Sequence, residues 1–258
     1  MPTPNPFSIT LTPAQRCIVA LDVRGKAHAL DLVDALQPHG LQHVKVGMSL
    51  FYEAGLPLLE ALAERGLDVF VDLKLHDIPN TVARTVDVLI RGGATFLNVH
   101  AQGGEAMLRA AQAQALATAE ALNAPPATLI AVTLLTSFTP TALASDLQQP
   151  LAPTAYVQHL AQLTQACGLA GVVCSSHEAS VLRATCGESF LKVTPGIRPA
   201  SHAMGSDDQA RILTPRQALQ AGATHLVVGR PIYAAPNPEQ AFIELLHEVT
   251  LACSQPIV

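Results

Sequence analysis

The sequence predicts an α/β protein, a single-domain (β/α)8 barrel of the TIM type, and three observations predict it. Eight short apolar or β-branched runs recur along the chain, each followed by a longer segment of helical pattern. Apolar strands alternating with helices pair in parallel beneath a helical cover, and eight such units close a barrel. The chain has 258 residues, and this architecture commonly uses about 250 as one domain. No linker or composition shift marks a second domain, so the domain is read as 1–258, with 1–15 as an N-terminal extension. A doubly wound open sheet is the alternative, but it usually has fewer strands.

The strands are read as CIVALD (17–22), HVKVG (43–47), LDVFVDLK (67–74), ATFLNVH (94–100), ATLIAVTLL (127–135), LAGVVC (169–174), FLKVTP (190–195) and THLVVG (224–229). After the second, Leu50, Phe51, Ala54, Leu58 and Leu62 recur at roughly helical spacing. That spacing predicts one helix, stopped by Gly66. The Ala- and Gln-rich segment 104–122 predicts another, with Met107, Leu108, Ala111, Ala115 and Leu122 inward. The segment 136–153 has three prolines and reads as a loop with a short helix; 196–213 reads as a second long loop.

Composition narrows the function. Apolar residues make up 49% of the chain and the formal net charge is −5. No basic stripe interleaves with aromatics, so nucleic acid is not expected as a partner. An anionic small molecule remains possible, because a site needs only a few local cations. No run of eighteen apolar residues suggests a membrane span. The start, MPTPNPFSIT, does not read as a secretory signal. The five cysteines are scattered without a CxxC pair, which suits a reducing, cytoplasmic compartment.

Barrel enzymes place their chemistry at the carboxyl ends of the strands. Here those ends carry Asp22, Lys45, the run VDLKLHDIPNT with Asp72, Lys74 and Asp77, then Asn98 and His100, Thr136 and Ser137, Arg198 in PGIRP, and Gly229–Arg230. Asp72 and Lys74 are two apart on one strand, which puts them on one side. Inward charges in an apolar barrel are costly unless paired. Lys45, Asp72, Lys74 and Asp77 are therefore expected to alternate in one network. A structural salt-bridge network would explain one such pair. Three charges within six residues, with more on neighbouring strands, favour a functional site. In VVGRPI, a glycine at the end of strand eight lets backbone N–H groups approach a ligand, and Arg230 can fork onto phosphate oxygens. His100 reads as a polar residue lining the site. No HxH or HxxxH pair with a nearby carboxylate appears, so no metal site is expected.

These residues resemble the orotidine 5'-phosphate decarboxylase family. The resemblance rests on ALD with Asp22, KVG with Lys45, DLKLHDIPNT from Asp72 to Thr81, VTLLTS with Thr136, TPGIRP with Arg198, DDQAR with Gln209 and VGRPI with Arg230, in that order over about 17–233. It implies a cofactor-free and metal-free decarboxylase that converts orotidine 5'-phosphate to uridine 5'-phosphate as a homodimer with shared active sites. It further implies that Lys74 protonates C6 within the array Lys45, Asp72, Lys74 and Asp77. Asp22 and Lys45 would hold the ribose. Asp77, Ile78 and Thr81 would belong to the shared site, with Asp77 and Thr81 reaching into the partner's. Thr136 would lie near the pyrimidine, and Arg198, Gln209, Gly229 and Arg230 at the phosphate. Two alternatives stand beside this reading. One is a related sugar-phosphate decarboxylase or aldolase-type barrel, which shares the Asp-x-Lys-x-x-Asp element but uses magnesium. The other is a non-catalytic nucleotide-binding protein, whose expected sign is a broken charge array.

Overall fold

The computed structural model describes residues 11–135, 137–199 and 213–254. Thr136 and Gln209 lie outside them. Eight strands form a closed parallel barrel in sequence order: β1 (Cys17–Ala20), β2 (His43–Gly47), β3 (Asp68–Leu75), β4 (Phe96–His100), β5 (Thr128–Val132), β6 (Gly171–Val173), β7 (Leu191–Thr194) and β8 (His225–Val228). Pairing of Val19 with Val228 closes the ring. Closure removes every sheet edge.

The strands alternate as a barrel wall requires. Ile18 and Ala20 point into the barrel, where they meet Phe70, Ile130, Val193 and Val227. Cys17, Val19 and Leu21 point out, into the larger cluster beneath the helices. One irregularity matters for the site. β3 and β4 pair at Phe70↔Phe96 and Val71↔Leu97, and next at Leu75↔Val99. Between those pairs β3 holds Asp72, Leu73 and Lys74, while β4 holds Asn98 alone. The extra residues make a bulge at the rim, a device that re-aims side chains.

The outer layer comprises α1 (Pro13–Arg16), α2 (Lys26–Leu36), α3 (Met48–Ala54), α4 (Leu56–Glu64), α5 (Pro79–Arg91), α6 (Gly104–Leu122), α7 (Pro140–Asp146), α8 (Pro153–Ala166), α9 (Ser176–Cys186), α10 (Pro215–Gln220), α11 (Arg230–Tyr233) and α12 (Pro238–Cys253). In α5, proline at the first position costs no hydrogen bond, and Val82, Val86 and Leu89 line the buried stripe. Each such side chain contributes roughly 1.5–3 kcal/mol on burial.

Two helical readings are corrected. The helix expected across Leu50–Leu62 is two, α3 and α4. Gly55 breaks it at φ 64°, ψ −161°, a conformation open to glycine, and Pro57 opens the next turn. In α6, Leu122 is exposed, while Thr118 and Ala119 are buried. Thr118 is accommodated because its hydroxyl donates to Asp87 Oδ1 at 2.7 Å.

The amino-terminal mouth holds a second cavity of about 470 Å³, lined by Ile18, Phe70, Phe96, His43 and His225 among others. His43 pairs with Asp68 at 3.0 Å. The hydrogen bond from His43 holds the Asp68 carboxyl below the usual range. His225 is buried. Burial, reinforced by His43 and Arg16, pushes its pKa down to about 3. The sign follows from linkage. Below about pH 6.5 the unfolded chain takes up a proton at this ring, and the folded chain refuses it until about pH 3. Stability is therefore full above pH 6.5 and drains as pH falls. Substituting His225→Phe should flatten the loss of unfolding free energy between pH 6.5 and 4 by about 2–3 kcal/mol. Urea titrations at each pH measure this, and parallel curves for the two proteins would refute it.

Candidate active site

The site assembles at the carboxyl mouth, where Lys45, Asp72 and Lys74 project from β2 and β3. Asp72 Oδ1 accepts from Lys74 Nζ at 2.7 Å, and Asp72 Oδ2 lies 3.3 Å from Lys45 Nζ. Lys45 Nζ is also 3.3 Å from Asp22 Oδ1. Within one chain the alternation thus runs Asp22, Lys45, Asp72, Lys74. Asp77 stands outside it, exposed, its carboxylate accepting from the Ile78 N–H at 2.6 Å.

Burial alone would push the Asp72 carboxyl up. The charges of Lys45 and Lys74, with hydrogen bonds from Lys74 and Asn98, outweigh it and hold the group below the usual range. In the sequence Asn98 is only a polar residue at a strand end. Its Nδ2 donates to Asp72 Oδ1 at 2.6 Å, and its Oδ1 accepts from the Lys74 N–H at 2.8 Å. Lys74 has φ 51°, rare for a residue with a side chain.

Two histidines flank the array. His76 and His100 stack with ring centroids 5.2 Å apart. Burial, then the nearby His76 and Lys74, pushes His100 down to about 4. Its Nδ1 accepts from the Gln102 N–H at 3.4 Å. His100 is therefore neutral near pH 7, and it stands beside the array without lining the cavity at this mouth. Among the described residues, no three His, Cys, Asp or Glu side chains are grouped as a metal site would need.

A cavity of about 320 Å³ runs from Asp22, Lys45, Asp72 and Lys74 to Arg198, Gly229 and Arg230. The backbone at Arg198 is tied down, because its N–H donates to the Leu213 carbonyl at 3.1 Å. Gly229 packs closely: a Cβ there would lie 3.3 Å from both Ala20 Cβ and Tyr233 Cε1. Thr81 is exposed in the first turn of α5, and Ile78 is 67% exposed just before it. The structure thus brings Asp22, Lys45, Asp72, Lys74, Arg198, Gly229 and Arg230 around one cavity, while Asp77, Ile78 and Thr81 are exposed and do not line it.

Fold and site together define an α/β-barrel enzyme that pairs a carboxylate–lysine array with two arginines at one mouth. The chain belongs to the orotidine 5'-phosphate decarboxylase / HUMPS family, whose model matches residues 15–245. It is 47% identical over 232 residues to the orotidine 5'-phosphate decarboxylase of Chromohalobacter salexigens, covering 90% of this chain and 94% of that one. It is 48% identical over 237 residues to the enzyme of the same name from Nitrosococcus oceani, covering 91% and 97%. Among solved structures, orotidine 5'-phosphate decarboxylase from Lactobacillus acidophilus matches with a TM-score of 0.78 and 37% identity, over 91% of this chain and 98% of that one. A conserved protein of Geobacillus kaustophilus, described as uncharacterized, matches with the same TM-score and identity.

The left-handed backbone at Lys74 carries a testable cost. Lys74→Ala and Lys74→Gly both remove the amine, but only glycine relieves the conformation. Relief of about 1–2 kcal/mol is partly offset by the greater entropy of glycine in the unfolded chain. The glycine variant should therefore be the more stable by roughly 0.5–1 kcal/mol in chemical denaturation. An alanine variant of equal or greater stability would mean the backbone there is unstrained.

Proposed function

We propose that the chain decarboxylates orotidine 5'-phosphate to uridine 5'-phosphate, the last step of pyrimidine nucleotide synthesis, without metal or cofactor. The observation that carries this reading is the intact Lys45–Asp72–Lys74 array opening into the cavity that Arg198 and Arg230 line.

The chemistry suits these residue types. The bond from C6 to the carboxylate breaks, carbon dioxide leaves, and the electron pair stays on C6. No adjoining carbonyl accepts that charge. The Lys74 ammonium stabilises it and delivers its proton to C6, leaving a neutral amine that solvent reprotonates. Asp72 aims Lys74 Nζ and faces the substrate carboxylate, a repulsion that lapses as carbon dioxide departs. Asp22 and Lys45 hold the ribose hydroxyls. Arg198, Arg230, Gln209 and the backbone at Gly229 bind the phosphate, where charge-assisted bonds are strongest. Phosphate binding then supplies remote energy to organise the site. With free cysteines at Cys17, Cys167, Cys174, Cys186 and Cys253, the reducing cytoplasm is the compartment proposed.

The test is direct. The purified protein with orotidine 5'-phosphate and a chelator should show the ultraviolet change of pyrimidine decarboxylation. Lys74→Ala should abolish nearly all turnover while still binding uridine 5'-phosphate. Loss of activity with the chelator would instead favour the magnesium-dependent aldolase-type reading.

We further propose a homodimer in which Asp77, Ile78 and Thr81 complete the partner's site. In support, Pro79 holds Ile78 extended at ψ 150°, so the segment leaves the mouth outward. Met48, Tyr52 and Ile78 are large apolar or aromatic side chains left 45%, 77% and 67% exposed, which a partner subunit would cover. Two-fold symmetry would return the same contact. Mixing Lys74→Ala with Asp77→Ala subunits should restore activity, because each heterodimer would hold one site with both defects and one with neither. No recovery despite verified subunit exchange would return Asp77 to its own subunit.

A further inference from the structure

We infer that Asn98 is the positioning residue of the array: its amide replaces the missing β3–β4 contact and fixes Asp72 and Lys74 relative to each other. This rests on the decarboxylase reading for its kinetic consequences, but the geometry stands by itself. At the rim, β3 has three residues where β4 has one, and that one is Asn98. The ladder cannot serve the Lys74 N–H there. Asn98 Oδ1 accepts it instead, at 2.8 Å. A left-handed lysine persists only where its surroundings over-determine it, and this bond holds that peptide.

The other end of the amide acts on the carboxylate. Asn98 Nδ2 and Lys74 Nζ both donate to Asp72 Oδ1, at 2.6 and 2.7 Å. Asp72 Oδ2 is left to Lys45 at 3.3 Å. The carboxylate is thereby pinned on both oxygens, and one side chain sets both its rotation and the backbone that carries its lysine. Asn98 is 1% exposed, between buried Leu97 and Val99. An amide is carried in such a place only when its donor and acceptor are both used. No other side-chain type of this length offers an acceptor and a donor at this spacing. Aspartate lacks the donor, leucine lacks both, and threonine supplies a single shorter hydroxyl.

The charged and titratable groups around Asp72 are Lys45 on β2, Asp22 beyond β1, Lys74 on its own strand, and His76 and His100 at the rim. Loss of the Asn98 hydrogen bond removes one of the influences that hold Asp72 low, so its titration should move to higher pH.

Two variants test the inference. Asn98→Ala removes both bonds. Asn98→Asp keeps the shape and the acceptor for Lys74 but sets a second carboxylate against Asp72, and it decides the matter if the alanine variant fails to fold. In both, kcat should fall about a hundredfold or more, as expected for misplaced catalytic groups. KM and the affinity for uridine 5'-phosphate should change by less than about fivefold, because phosphate and ribose contacts lie elsewhere. The acidic limb of kcat/KM and the Asp72 carboxyl resonance followed by NMR should both shift upward in pH. A folded variant with kcat within about threefold of wild type, or one whose loss lies wholly in KM, overturns the inference. So does an unshifted Asp72 resonance. If the wild type itself does not act on orotidine 5'-phosphate, the functional reading fails, and the carboxyl titration, which needs no substrate, still decides the role of Asn98.

Discussion

The Asp72 carboxylate, half-buried between two lysines and an amide, is the constraint around which the carboxyl mouth is organised. A lone carboxylate in this apolar setting would cost several kcal/mol or take up a proton. Here it accepts from Lys74 and Asn98 and faces Lys45. Each partner comes from a different place: Lys45 from β2, Asn98 from β4, and Lys74 from the same strand. The array therefore exists only when three neighbouring strands are in register. Removing the carboxylate would leave two cations facing each other, so the group stabilises the site as much as the site stabilises it.

The barrel supplies that register cheaply. The ladder from β2 to β3 is regular and sets Gly47 opposite Asp72. The ladder from β4 to β5 is regular from Phe96 to His100. The irregular step falls between them, at the rim. Charge and backbone strain thus sit where the barrel opens, while the wall below is filled by Ile18, Phe70, Ile130 and Val193. Such a division is expected when a rigid scaffold carries a strained functional element.

Much of this was legible in the sequence, for identifiable reasons. Strand HVKVG coincides with β2, because a β-branched run ending in glycine has few other readings. The charged run on β3 announced itself, since inward charges need partners. Three features were harder to read. The apolar spacing from Leu50 to Leu62 continues smoothly through Gly55, so the break between α3 and α4 left no periodic trace. Leu122 looked like part of the inner stripe of α6, but the helix ends there and its last three residues, 120–122, are exposed, with Thr118 taking the buried place through a bond to Asp87. Asn98 gave least warning. A polar residue between Leu97 and Val99 shows that something must satisfy it, but its partners are 24 and 26 residues away in sequence. Spacing cannot reveal a contact that only a bulge creates.

Phe70 has a consequence of a different kind. It lines the cavity of the carboxyl mouth and also the cavity of the amino-terminal mouth, and its ring meets Phe96 at 4.8 Å. Two water-accessible basins therefore approach each other along the barrel axis with an aromatic side chain between them. Paired charges attract far more strongly in a dry medium than in a wet one, and a pore through the axis would let solvent reach the array from below. Residue size at position 70 thus sets more than packing. The ring that separates the two basins is part of the lining around Asp72 and Lys74, so its size bears on the dielectric in which their charges face each other.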